Sequence, residues 1–214
     1  MHKLTFLKHE NIPLFKCSFC GKCYNFLEAT SYLKIKMRGC CWYFPKYKLI
    51  DIKNILDLGK EDFIYEIANL INSKIEKYHI EVLGYFDEEK YNKLKPKSDD
   101  FDTKLFFRLC PFFDKDGCKL DFTLRPHPCN LYLCREIIEA CGQEYEYYKR
   151  ERKDYFAYCN YYNDVLAKEL EYKSLNLVNN FEEAIKLLKE IHVPKFDFRN
   201  LKDIIININE QIAV

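Results

Sequence analysis

The clearest periodic pattern of apolar positions lies in the second half of the chain. Apolar and aromatic residues recur at three- and four-residue steps over 144–172, which predicts one long amphipathic helix. The positions that share this spacing are Tyr145, Tyr148, Arg152, Tyr155, Cys159, Tyr162, Leu166 and Leu170. A second helix is predicted over 181–191, because Asn180 is a suitable N-cap and Pro194 lies just beyond.

Shorter patterns predict further helices on either side. A helix is predicted over 49–58, and another over 61–75, where acidic residues in the first turn favour the helix dipole. The apolar positions of this second helix are Phe63, Ile64, Ile67, Ile71 and Ile75. A final helix is predicted to bury Leu201, Ile204, Ile205 and Ile208. The polar stretch 87–102 is predicted to be a loop.

One short hairpin is the only predicted β-structure. The apolar runs 104–109 and 119–124 flank a turn signal at Asp114–Gly117, so they are predicted to pair. We therefore expect a mainly α fold, with helices around a small irregular cysteine-rich region that carries a short β-hairpin. Residues 1–140 are predicted to form a cysteine-cluster metal-binding domain, and residues 141–214 a helical extension packed on it.

Composition narrows the classes of function. The chain is 48% hydrophobic and 31% charged, with a net charge of +1, so nucleic-acid binding is not expected. The tyrosines are better explained as one face of the long helix than as base-stacking side chains. The first residues lack the apolar run of an export signal, and no stretch could span a membrane. A cytoplasmic location is expected, where clustered cysteines bind metal more often than they form disulfides.

The cysteines form two groups in sequence. The 11 cysteines include a first group, Cys17, Cys20, Cys23, Cys40 and Cys41, and a second group, Cys110, Cys118, Cys129 and Cys134. Three thiols at two-residue intervals, with a glycine between them, can point at a common centre. That triplet favours an iron–sulfur cluster, because zinc ligands usually come as separated pairs. Structural zinc stays the alternative.

The predicted metal ligands are Cys17, Cys20, Cys23, Cys40, Cys41, Cys110, Cys118 and Cys129. One site would combine the triplet with Cys40 or Cys41, and the other would combine the second group with the remaining cysteine or with Cys134. A single cluster with spare thiols nearby is also open. Cys141 and Cys159 are expected to be buried core residues. His127 could be a ligand or a loop histidine, and Arg125 could offset the charge of a thiolate cluster or lie on the surface.

These motifs resemble the YkgJ-like cysteine-cluster family, described as zinc- or iron-chelating. The residues that carry the resemblance are Cys17-x2-Cys20-Gly21-Lys22-Cys23, the Cys40-Cys41 pair, Cys110-Pro111-Phe112-Phe113-Asp114, Cys118 and Arg125-Pro126-x2-Cys129. The chain departs from the family at Tyr24, where the family has a second adjacent cysteine. The resemblance covers about 15–135 and implies metal or cluster binding. Relatives in that family include flagellin lysine N-methylase.

Three functions are therefore open. The first is an iron–sulfur protein, with a 4Fe-4S cluster expected, that has a redox or cluster-carrying role. The second is a structural-zinc interaction module. The third is a protein-modifying enzyme of the methyltransferase type, although no glycine-rich nucleotide loop supports it. A protein partner is expected in each case, and no small-molecule substrate is identifiable.

Overall fold

A computed structural model of the chain describes residues 2–18, 27–28, 36–37, 44–94, 103–114 and 117–206. The prediction of a mainly α fold is wrong, because 48% of the described residues are helical and 22% lie in strands, with several small sheets. The helices are α1 (Leu49–Asp57), α2 (Glu61–Ala68), α3 (Glu88–Leu94), α4 (His127–Asn130), α5 (Arg135–Cys141), α6 (Tyr145–Tyr172) and α7 (Phe181–Glu190). The strands are β1 (His2–His9), β2 (Ile12–Cys17), β3 (Leu27–Glu28), β4 (Lys36–Met37), β5 (Lys46–Lys48), β6 (Ser73–Glu76), β7 (His79–Val82), β8 (Tyr85–Phe86), β9 (Arg108–Leu109), β10 (Phe113–Asp114), β11 (Gly117–Cys118) and β12 (Ile204–Ile206).

The first sheet joins the two ends of the described chain. Strand β1 pairs antiparallel with β2 on one side and with β12 on the other. The predicted final helix is therefore wrong: Ile204 and Ile206 face the core, and Ile205 between them is 45% exposed. This alternation is that of a half-buried strand, whose side chains point to opposite faces in turn.

A second sheet, in the order β5-β7-β6, lies beside α1 and α2. Helix α1 forms nearly as predicted and is buried on all sides from Leu49 to Leu56. Helix α2 ends at Ala68, so the prediction of a helix to residue 75 is wrong beyond that point. Ile71, which the periodic pattern placed in the core, is 96% exposed, and Ile75 lies in β6.

The long predicted helix is confirmed as α6, and the predicted helix at 181–191 is confirmed as α7. The buried stripe of α6 includes one residue that the apolar pattern did not mark, Glu151. Its carboxylate is 2% exposed and accepts a hydrogen bond of 2.6 Å from Arg199. Pairing of this kind offsets the desolvation cost of a buried charge.

The predicted hairpin forms at shifted positions. Strand β10 pairs with β11, whereas the predicted outer strands do not pair: β9 pairs with β8, and 122–124 is a single 3₁₀ turn. Part of the predicted loop at 87–102 is helical, as α3.

Residues from both predicted domains, 1–140 and 141–214, contribute to one continuous buried core. The boundary near residue 140 stays a prediction. Within the described part of the chain, none of the helices combines the length and apolar character needed to cross a bilayer.

Candidate metal centre

The hairpin β10–β11 holds two of the predicted ligands. Cys118 lies directly opposite Phe113 in the antiparallel register. The backbone N–H of Phe113 donates to the carbonyl of Cys110 over 3.0 Å, so Cys110 closes a turn at the foot of the same hairpin. Gly117 has a φ of 116°, a conformation that favours glycine. These local contacts bring Cys110 and Cys118 into one small unit.

Cys129 lies on α4, a single helical turn that follows the 3₁₀ turn. Its backbone N–H donates to the carbonyl of Pro126 over 2.9 Å. The side-chain amide of Asn130 donates to the carbonyl of Phe122 over 2.8 Å, which ties α4 back to the 3₁₀ turn. Cys129 is half-buried, so its thiol lies at the edge of the core.

Tyr47 of β5 contacts the segment that connects the hairpin to α4. Its side chain is fully buried, and its hydroxyl donates to the carbonyl of Leu124 over 3.0 Å. Burial raises the pKa of Tyr47 well above its usual range, and nearby charge on Cys129, Cys118 and Cys110 raises it further. An electrostatic effect of this kind requires short separations. The three predicted ligands of the second group therefore share one buried phenol as an electrostatic neighbour.

A buried contact between a carboxylate and an imidazole fixes the start of α4. Oδ1 of Asp51 lies 2.8 Å from both the backbone nitrogen and Nδ1 of His127, and both side chains are 3% exposed. Oδ2 of Asp51 accepts from the backbone N–H of Lys48 over 3.1 Å. Asp51 of helix α1 thus holds the imidazole of His127. This contact also restrains Cys129, which follows two residues later in the chain.

Arg125 donates hydrogen bonds to backbone carbonyls of the same region. Its guanidinium donates to the carbonyl of Leu120 over 2.6 and 2.9 Å and lies 3.5 Å from the carbonyl of Cys118. These hydrogen bonds restrain the backbone of the segment that follows β11. The cation also lies beside the cysteine-bearing hairpin, the position in which a positive charge offsets that of thiolates.

Cys17, the described member of the first group, lies at the end of β2. It is buried at 7% exposure, and it lies opposite Leu4 of β1 in the antiparallel register. Burial and then the charge of Cys17 raise the pKa of Cys141 to about 11. The other predicted ligands of this group, Cys20, Cys23, Cys40 and Cys41, lie outside the described residues.

The remaining cysteines differ in their surroundings. Cys134 is the half-buried N-cap residue of α5. Cys159 is fully buried on α6, as predicted. Burial raises the pKa of the Cys159 thiol, and Asp51 adds to that effect. A neutral thiol in this position packs as a small apolar side chain.

Two buried polar atoms lack a hydrogen-bond partner among the residues that the structure describes. They are Oδ1 of Asn130 and the hydroxyl of Tyr145. Orphaned buried groups are rare because each one costs free energy of folding. Asn130 directly follows Cys129 in the chain, and the charge of Cys141 contributes to the raised pKa of Tyr145.

The donor set fits a thiolate-bound metal in its chemistry. Thiolates are the ligands of iron–sulfur clusters and of many structural zinc sites. Within the described ranges, however, no three Cys, His, Asp or Glu side chains are grouped so that they could hold a metal ion. Cys110, Cys118 and Cys129 therefore share Tyr47 as a neighbour without forming a closed set of ligands.

Comparisons of the chain with models of protein families, with curated proteins and with solved structures give no match. The resemblance to the YkgJ-like family thus stays a prediction from the cysteine motifs.

Three residues of this region were not identified from the sequence. Tyr47 and Asp51 flank the start of α1, and only Asp51 carried a signal: an acidic residue inside the apolar run Leu49–Ile52. Such a residue is expected to have a buried partner. Cys141 was assigned to the core, and no local feature indicated its electrostatic interaction with Cys17.

Proposed function

We propose that the protein binds metal through its cysteine thiolates, as an iron–sulfur protein with a redox or cluster-carrying role in the cytoplasm. The observation that supports the proposal is the geometry of the second group: Cys110 closes a turn beside the hairpin that carries Cys118, and Cys129 lies on the turn held by Asp51. All three thiols are buried or half-buried. The spacing of the Cys17–Cys23 triplet supports the same proposal.

The bound cluster would supply one-electron chemistry, and the residues of this chain would bind and position it. Cys110, Cys118 and Cys129 would supply thiolates, each losing its proton to solvent when it binds metal. Asp51 holds His127 and so fixes the turn that carries Cys129. Arg125 places a positive charge beside the hairpin, which favours the more negative, reduced form of a thiolate-rich centre.

The optical spectrum of anaerobically purified protein tests the proposal. A brown protein with broad visible absorption, bleached by dithionite, is the expected result. A colourless protein that contains only zinc would replace the iron–sulfur assignment with the structural-zinc alternative. A colourless protein with neither iron nor zinc would refute metal binding altogether.

A further inference from the structure

A cleft lies where the β1–β2 turn, helix α1 and the end of helix α7 meet. Its volume is about 420 Å³, which is typical of a small-molecule site, and none of its lining residues is a cysteine. The backbone N–H of Phe196, in the segment after α7, donates to Oδ1 of Asn11 over 2.9 Å. This hydrogen bond ties that segment to the β1–β2 turn, so distant parts of the chain build the cleft together.

The buried part of the lining, which we call the floor, is polar. It consists of Asn11, Lys53 and Asn54, each at most 9% exposed. The amide nitrogen of Asn11 donates to Oδ1 of Asn54 and to the hydroxyl of Tyr158, both over 2.9 Å. The amide nitrogen of Asn54 has two N–H donors and, within the described residues, contacts only the Tyr155 hydroxyl at 3.5 Å. One N–H of Asn54 is thus available to a ligand.

Lys53 is the unusual member of this floor. Lysine side chains normally extend to water, yet this one is 4% exposed. Its ammonium has three N–H donors, and across the described part of the chain their only acceptor is Oδ1 of Asp57. Asp57 is itself 49% exposed, so it offsets only part of the cost of burying the cation. Two donors of Lys53 are therefore left for the carboxylate oxygens of a ligand.

The exposed charged residues of the lining, which we call the rim, supply the opposite charge. Lys195 of the rim is paired with Glu10. Lys189 is paired with Glu61 at 2.5 Å. Glu190, by contrast, has no ion-pair partner among the residues that the structure describes. It is the last residue of α7, and the C-terminal end of a helix favours a positive charge. The ammonium group of a ligand is therefore favoured at Glu190.

The apolar part of the lining consists of Leu58, Ile191 and Val193, all half-buried. These side chains favour an aliphatic group, because burying it removes apolar surface from water. A phosphate dianion fits the cleft poorly, since Glu10 and Glu190 add negative charge to the rim. The lining is therefore complementary to a ligand that carries both charges and an aliphatic group.

We infer that this cleft binds a small zwitterion, namely an α-amino acid or a dipeptide with aliphatic side chains. Lys53 and Asn54 donate to its carboxylate, and Glu190 accepts from its ammonium group. Binding is noncovalent and needs no co-reactant. The inference goes beyond the proposed function, because no cysteine lines the cleft, and so either one can fail without the other.

The first test uses ligand analogues on the wild-type protein, so it does not depend on the folding of any variant. The probes are free leucine, isoleucine and valine and the dipeptide dileucine, titrated by isothermal calorimetry. We expect at least one of them to bind. Its methyl ester, which lacks the carboxylate, and its N-acetyl derivative, which lacks the ammonium charge, should each bind at least about tenfold more weakly. No binding by any probe, equal binding of the blocked derivatives, or tighter binding of inorganic phosphate would overturn the inference.

The second test locates the site with two variants. Lys53→Met keeps most of the side-chain length and removes the charge, and Glu190→Gln removes a charge at an exposed position. We expect Lys53→Met to bind the tightest probe at least about tenfold more weakly and Glu190→Gln to bind it severalfold more weakly. The matched control, Lys168→Met on the exposed face of α6, should bind as the wild type does. Circular dichroism establishes that each variant folds, and Glu190→Gln carries this test if Lys53→Met does not fold. Wild-type affinity in Glu190→Gln, or in a folded Lys53→Met, would overturn the inference.

Discussion

The carboxylate of Asp51 holds His127 at two atoms, with its Oδ1 2.8 Å from both the backbone nitrogen and Nδ1. This contact joins helix α1 to the turn that carries Cys129, across 76 residues of sequence. Because both side chains are buried, the pair is shielded from solvent and from salt screening.

Replacing Asp51 by alanine should destabilise the protein and weaken metal binding together. Two buried donors of His127 would lose their acceptor, which costs about 3 kcal/mol of unfolding free energy. Urea denaturation followed by circular dichroism measures this loss. The matched control is Asp164→Ala on the exposed face of α6, which should change stability by less than about 0.5 kcal/mol. Equal stabilities of the two variants would contradict the structural role of Asp51.

The hydroxyl of Tyr47 should contribute measurably to the free energy of unfolding through its hydrogen bond to the carbonyl of Leu124. Tyr47→Phe removes the donor and leaves a buried carbonyl unsatisfied, so we expect a loss of about 1 kcal/mol. Tyr161→Phe, at a position that is 63% exposed, should have no effect on the denaturation midpoint. If the two variants unfold at the same urea concentration, the buried hydroxyl does not stabilise the region that carries the second cysteine group.

The orientation of β12 can be tested with two neighbouring isoleucines. Ile206 is fully buried, so Ile206→Ala should cost about 3 kcal/mol by leaving a cavity. Ile205 is 45% exposed, so Ile205→Ala should cost less than about 0.5 kcal/mol. The helix predicted from the sequence would bury Ile205 instead. The reverse order of the two losses would therefore restore that helix and contradict the strand.

Stability should fall in alkaline solution as buried tyrosines are forced to ionise. Burial raises the pKa of Tyr148 to about 12, and the pKa of Tyr155 is also raised by burial. A raised folded-state pKa means that the folded protein holds its protons more tightly, so this stability is complete below pH 10 and is lost as the pH rises toward 12. Urea midpoints measured between pH 8 and about pH 11 should decrease above the ordinary tyrosine pKa of about 10.

The same pH series on Tyr148→Phe provides the control. Removing one of the tyrosines with a raised pKa should make the alkaline decline less steep. A midpoint that stays constant up to about pH 11 in the wild-type protein would contradict the burial of these phenols.

Helices with long, regular apolar stripes were predictable, and strands with distant partners were not. The stripe of α6 extends over seven turns and allows only one interpretation. The run Ile204–Ile206 fits a helical or an alternating pattern equally well, and its partner β1 lies about two hundred residues earlier. The missed strands β1 and β2 pair with each other as a local hairpin, so only the pairing of β1 with β12 is long-range. Local periodicity holds no information about such long-range contacts.

The sequence identified which cysteines belong to the candidate site, but it predicted only part of their arrangement in space. Two-residue spacing marked the triplet, and the order of motifs marked Cys110, Cys118 and Cys129, which the structure brings near Tyr47. The position of Cys17 at the end of β2 was not predictable from the cysteine spacing, because no strand was predicted there.

The central claim is that thiolates from two distant stretches of the chain bind metal, and the amounts of iron, zinc and acid-labile sulfide per chain test it most directly. We predict that anaerobically purified wild-type protein and Cys159→Ser contain equal iron and sulfide. Cys20→Ser, in the first stretch, and Cys118→Ser, in the second, should each contain less. Full metal and sulfide in both of these variants, or none in the wild-type protein, would contradict the account.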